Sequence, residues 1–140
     1  MDEHAFRNIV ATAWLRIPDR FVGRVDNVAL LIEDEPDGEV RKEEGLGEGD
    51  TLLGLYRGVP MTARGAEYGV GATLPDTITL YRLPIMEEAG HLQLVDPTLT
   101  LETAVEKAVE ETLWHELAHY FGMEEDHVNK REDEGTNRYQ

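Results

Sequence analysis

The sequence predicts an α+β domain, because helical and strand periodicities both occur in a chain of 140 residues. Apolar residues recur at three- and four-residue intervals near the start of the chain and again over residues 100–121. Between these helical segments lie three short segments of β character, at 28–32, 51–56 and 77–82. A chain of this length with 41% hydrophobic residues suits one domain with its own core, so we expect residues 1–140 to fold as a single unit.

The first predicted element is an amphipathic helix that begins after Asp2, a residue type suited to the N-cap. Its apolar face consists of Phe6, Ile9, Val10, Ala13, Trp14 and Ile17. Pro18 interrupts this pattern, and residues 19–25 are interpreted as a short helical turn. The continuous apolar run at 28–32 then has the length of a buried strand.

The middle of the chain contains the weakest periodicity. Residues 34–50 combine charged residues with glycines and a proline, so we expect a flexible, solvated loop; the alternative is a flap over an active site. Strand character resumes at 51–56, and the alternation of polar and apolar residues at 77–82 is typical of a half-buried strand. Pro84 is expected to end that strand, with a short helix over 85–89.

The longest predicted helix follows Thr100, a plausible N-cap. One stripe of this helix contains Leu101, Val105, Ala108, Thr112, His115 and His119. Four glutamates are expected on its exposed side: Glu102, Glu106, Glu110 and Glu111. Because the two histidines continue the buried stripe, we expect them to face the sheet.

The residues His115-Glu-Leu-Ala-His119 form an H-E-x-x-H motif. Two histidines four residues apart project from one face of a helix and can bind one metal ion. Glu116 lies beside the first histidine, where it can accept a proton from a metal-bound water without being a ligand. Gly122 can adopt the positive φ with which a helix ends, so the chain can turn back towards the metal.

A third protein ligand is expected after this glycine, since catalytic zinc usually has three protein ligands and one open position. Glu125 lies three residues after Gly122, the spacing of the third ligand in the longer H-E-x-x-H-x-x-G-x-x-H motif, and is the favoured candidate. His127 is the better ligand chemically but requires a different turn, and Asp126 is a further alternative. Beyond these candidates, residues 135–140 are expected to be frayed.

Charge and composition restrict the class of partner. Twenty-nine acidic against 13 basic residues give a formal charge of −16, which repels phosphate backbones and argues against nucleic acid as a partner. No apolar run has the length of a membrane span, and the acidic N-terminal segment lacks the features of a signal peptide. We therefore expect a soluble, cytoplasmic protein without a membrane partner. Cysteine is absent, which excludes thiolate metal ligands.

Three segments of the chain resemble the small bacterial zincin-like metallopeptidases, or minimal zincins. These segments are 53–60 (Leu-Gly-Leu-Tyr-Arg-Gly-Val-Pro), 74–82 (Leu-Pro-Asp-Thr-Ile-Thr-Leu-Tyr-Arg) and 115–122 (His-Glu-Leu-Ala-His-Tyr-Phe-Gly). The resemblance implies a mixed sheet packed against the N-terminal helix and the motif helix, and an acidic third ligand three residues after the glycine. It further implies that His115 and His119 bind Zn²⁺ and that Glu116 is the base.

The predicted function is a zinc-dependent metallopeptidase that hydrolyses a peptide or protein substrate with a zinc-bound water activated by Glu116. The substrate could lie extended along a strand edge at 51–57, and a tyrosine (Tyr56, Tyr81 or Tyr120) could stabilise the oxyanion if it is not part of the core or its rim. One alternative is a non-catalytic metal-binding or regulatory domain. A second is a zinc-dependent endoribonuclease, against which Glu116 and the acidic charge argue.

Overall fold

The α+β prediction is confirmed by a computed structural model that describes residues 1–22, 25, 28–58 and 75–122. The elements are, in chain order, α1 (Glu3–Arg16), α2 (Asp19–Val22), β1 (Val28–Glu33), α3 (Gly38–Glu43), β2 (Gly54–Arg57), β3 (Asp76–Tyr81), α4 (Arg82–Val95) and α5 (Leu101–Tyr120). The strands form one mixed sheet in the order β1-β3-β2. Strand β1 is parallel to β3, and β2 is antiparallel to it.

Helix α1 agrees with the sequence prediction. The Asp2 side chain accepts a hydrogen bond from the backbone N–H of Ala5 at 2.8 Å, which caps the helix. The predicted apolar face is directed inward, since Phe6, Ile9, Val10 and Ala13 are buried. Helix α2 (Asp19–Val22) lies within the helical turn predicted over 19–25, of which residues 23 and 24 lie outside the described part of the chain.

The burial of the strands differs from the prediction. Strand β3 is central in the sheet and buried along almost its whole length, including Asp76 and Thr79, so the expectation of a half-buried strand was wrong. Strand β1, expected to be buried, lies at an edge of the described sheet and is only partly covered, with Leu31 41% exposed. The order of strands in a sheet is a non-local property, which residue alternation within one strand does not specify.

Two helices correct the predicted loop and the predicted short helix. Helix α3 forms within the supposed loop at 34–50, where Asp37 caps it and Val40 is buried. Helix α4 begins directly after β3 and continues past Gly90, so Pro84 does not precede the helix but lies in its first turn. Proline is tolerated there because the first N–H groups of a helix have no intrahelical acceptor.

Helix α5 occupies the centre of the fold and contacts α1, α4, β2 and β3. It buries twelve of its 20 residues, among them Glu111, which had been expected on the exposed side. None of the helices in the described part of the chain has the length and hydropathy of a membrane span.

Candidate active site

The end of α5 carries the H-E-x-x-H motif. The Thr100 side chain accepts a hydrogen bond from the Thr103 N–H at 3.1 Å, which caps the start of the helix. At the other end, the Gly122 N–H donates to the His119 carbonyl at 2.9 Å, and Gly122 has a φ of 79°. The glycine therefore adopts the left-handed conformation expected where the helix ends and the chain turns.

His115 and His119 face each other on this helix. Their Nε2 atoms are 3.1 Å apart, and the ring planes are inclined by 78°. Two nitrogen ligands at 2.0–2.1 Å from a tetrahedral zinc ion would be about 3.3 Å apart. The pair therefore fits two positions in the coordination shell of one ion.

His115 is 1% exposed. Burial, and to a smaller extent the neighbouring His119, together lower its pKa to about 4. The imidazole of His115 is therefore neutral at pH 7, which is the form that binds a metal ion.

Glu116 is held against strand β2. Its Oε1 accepts a hydrogen bond from the backbone N–H of Tyr56 at 3.0 Å, and the residue is only 4% exposed. Helix and strand approach closely because residue 54 is a glycine: a Cβ atom there would lie 2.8 Å from Thr112 Cγ2 and 3.2 Å from Glu116 Cγ. The absence of a side chain at Gly54 thus allows the strand to contact the carboxylate-bearing face of α5.

Tyr56 is also bound at the far end of its side chain. Its hydroxyl donates to Asp76 Oδ2 at 2.7 Å, and Asp76 is 3% exposed. The sequence patterns gave Asp76 no role in the site. A signal was available, since the aspartate directly precedes the predicted strand 77–82 within a segment that carries the family resemblance.

A family model for zincin-like metallopeptidases matches residues 25–135. The chain belongs to the zincin-like metallopeptidase family. Two chains of known structure also match. One is a conserved hypothetical protein from Thermus thermophilus with 24% sequence identity and a TM-score of 0.49, covering 93% of this chain and 99% of its own. No curated protein matches.

Two of the three tyrosines considered as oxyanion donors are core residues in this zincin-like protein. Tyr81 is 1% exposed and Tyr120 is fully buried. Burial, together with the nearby Glu33 carboxylate, raises the pKa of Tyr81 to about 12. Tyr56 is partly buried, and its hydroxyl is bonded to Asp76. Tyr81 and Tyr120 are therefore part of the buried core.

The three candidates for the third ligand, Glu125, Asp126 and His127, lie outside the described residues, as does the segment 135–140 that was expected to be frayed. Among the described residues, no group of three histidine, cysteine, aspartate or glutamate side chains could hold a metal ion. The described part of the zincin-like site thus brings together His115, His119 and Glu116.

Proposed function

We propose that this protein is a zinc-dependent peptidase whose metal is bound by His115 and His119. The observation that carries the proposal is the 3.1 Å separation of the two imidazole Nε2 atoms on a helix that also presents Glu116. Membership of the zincin-like metallopeptidase family supports the same chemistry. Glu125 would complete the ligand set, with Asp126 and His127 as the alternatives.

A zinc ion bound there would act as a Lewis acid and lower the pKa of a coordinated water towards about 7. Glu116 is the general base in this proposal. It accepts a proton as the water oxygen attacks the peptide carbonyl carbon, and it returns that proton to the amine nitrogen as the C–N bond breaks. The backbone N–H of Tyr56 orients the Glu116 carboxylate for both transfers.

The substrate in this proposal is an extended peptide that lies along β2. In the described sheet β2 is paired only with β3, so its other side is an edge. Residues 53 and 81 form a hydrogen-bonded pair, because the Tyr81 N–H donates to the Leu53 carbonyl. The backbone groups of Gly54 and the carbonyl of Tyr56 therefore point away from β3 and can bind a peptide, whereas the Tyr56 N–H on the same side donates to Glu116. Strand addition at such an edge is a common mode of peptide recognition.

The direct test is Glu116→Gln, which keeps the shape of the side chain and removes the base. We expect peptide hydrolysis to fall by about 10²- to 10⁴-fold, the usual contribution of a general base, while zinc binding is retained. Hydrolysis of a fluorogenic peptide library and zinc titration would measure the two effects. Equal peptidase activity in the variant and the wild type would refute the assignment of Glu116.

Burial of the motif favours a second candidate function, a structural metal site without catalysis. His115 and Glu116 are 1% and 4% exposed, so little of either side chain is open to solvent. A structural ion would raise the thermal midpoint strongly and leave every peptide in the library intact. Thermal unfolding with and without a chelator, run beside the peptidase assay, distinguishes the two functions.

A further inference from the structure

A chain of hydrogen bonds joins β3 to the candidate base through β2. Asp76, at the start of β3, accepts from the Tyr56 hydroxyl at 2.7 Å. Tyr56, on β2, donates through its backbone N–H to Glu116 Oε1 at 3.0 Å. The same tyrosine side chain therefore has one end fixed by a buried carboxylate and the other end attached to the backbone that holds Glu116.

The Asp76 side chain is buried, and neighbouring parts of the chain pack closely around it. It is 3% exposed, and a carboxylate is costly to bury unless hydrogen bonds compensate its lost hydration. A Cβ atom on Gly58 would lie 2.2 Å from Asp76 Cγ, so the chain after β2 fits around this carboxylate only because residue 58 is a glycine. The Tyr56 hydroxyl thus gives Asp76 a hydrogen-bond donor. The absence of a side chain at Gly58 gives it space.

The Tyr56 ring is also held from the side. It forms an edge-on contact with the Tyr120 ring, with centroids 6.0 Å apart and an interplanar angle of 90°. Tyr120 is the last residue of α5 and directly follows His119. Tyr56 is therefore bound to the motif helix at two points, through its ring and through its backbone N–H.

We propose that Asp76 is a positioning residue for Glu116 and acts through Tyr56. By fixing the phenol, Asp76 restricts the torsions of Tyr56 and the local path of β2, and the Tyr56 N–H then holds the Glu116 carboxylate in one orientation. This proposal rests on the proposed function only for its effect on turnover. The positioning itself is a property of the zinc-free protein.

The test compares backbone amide exchange at residue 56 in the zinc-free wild type, Tyr56→Phe, Asp76→Ala and Asp76→Asn. Tyr56→Phe and Asp76→Ala should each speed exchange at residue 56 by about tenfold, which corresponds to about 1.4 kcal/mol, the size expected for one hydrogen bond. Asp76→Asn retains an acceptor and should restore most of the protection. The double variant Tyr56→Phe/Asp76→Ala should exchange no faster than either single variant.

Tyr81→Phe is the matched control, because it removes a buried tyrosine hydroxyl from the same sheet at the far end of β3. It should leave exchange at residue 56 unchanged. Exchange at Ile78, in the middle of β3, reports global opening in every variant. If Ile78 and residue 56 lose protection equally in both Tyr56→Phe and Asp76→Asn, Asp76 only stabilises the fold and the proposal is overturned. Unchanged exchange at residue 56 in Tyr56→Phe overturns it as well.

Turnover gives a second readout that separates the two proposals. In an active peptidase, Asp76→Ala should lower kcat by about tenfold or more and leave KM and zinc affinity unchanged, with partial rescue by Asp76→Asn. A wild-type protein that cleaves no peptide refutes the proposed function, yet the amide exchange still decides whether Asp76 positions Glu116. An active enzyme whose kcat is unaffected by Asp76→Ala overturns the positioning role in catalysis.

Discussion

Two adjacent faces of α5 are almost equally buried and differ in what they bury. The apolar face consists of Val109, Leu113 and Leu117, all fully buried. The polar face consists of Thr112, His115, Glu116 and His119, of which only His119 is partly exposed. Both faces lie on the same turns of one helix. The difference in the polarity of their buried side chains therefore does not arise from a difference in backbone structure.

The two faces of α5 contribute separately to stability and to function. Burial of an aliphatic side chain stabilises a fold by about 1.5–3 kcal/mol, whereas burial of a polar group is costly unless it is hydrogen-bonded. The apolar face therefore holds α5 in place, and the polar face uses that fixed position to hold two imidazoles and a carboxylate. Substitutions on the apolar face should mainly lower the stability of the fold, and substitutions of the two histidines should mainly lower the affinity for zinc.

The largest effect on stability is expected on the apolar face. Leu113→Ala removes a fully buried side chain and should lower the free energy of unfolding by about 2–5 kcal/mol, measured by urea denaturation. Zinc affinity of the folded protein should remain within about threefold of the wild type, because Leu113 does not face the histidines. A loss below 1 kcal/mol would mean that this face does not hold the helix.

An intermediate effect is expected where β2 meets the polar face. Gly54→Ala introduces a Cβ atom 2.8 Å from Thr112 Cγ2 and 3.2 Å from the Thr79 carbonyl oxygen, so the free energy of unfolding should fall by about 1–3 kcal/mol. Gly90→Ala in α4 is the control, since its Cβ would meet nothing within 4 Å. It should stabilise by about 0.4–1 kcal/mol, and equal effects of the two substitutions would argue against close packing at Gly54.

The smallest effect is a pH dependence of the zinc-free protein. The pKa of His115 falls from 6.5 to about 4 on folding, so the unfolded chain binds more protons between these values. The free energy of unfolding should therefore decrease on acidification, by about 1 kcal/mol between about pH 7 and about pH 5.5, and the loss is complete below pH 4. His115→Leu should flatten the profile measured by urea titrations. A slope that persists in this variant would assign the effect to other groups.

Local patterns in the sequence predicted helix α1 and which side of α5 is buried. Helix α1 and most of the buried stripe of α5 were predicted correctly, because three- and four-residue spacing is a local property. Leu101, the first residue of that stripe, was wrongly expected to be buried and is 41% exposed. Glu111 was expected to be exposed because of its charge, although it lies four residues before His115 on the same stripe. Spacing was therefore a better guide to burial on α5 than residue type.

The remaining features depend on contacts between distant parts of the chain. Asp76 and Tyr56 are twenty residues apart, and their hydrogen bond exists because β2 and β3 are adjacent and antiparallel. The burial of β3 likewise follows from its central place between β1 and β2. No local period predicts which strand becomes central, so these parts of the site became apparent only from the fold.

Zinc titration of the metal-free protein tests the central claim, that His115 and His119 bind one divalent ion. Calorimetry should show one zinc ion per chain for the wild type, a large loss of affinity for His115→Gln and His119→Gln, and a wild-type stoichiometry for the distant control His91→Gln in α4. Unchanged zinc affinity in a His115→Gln/His119→Gln double variant would contradict the claim.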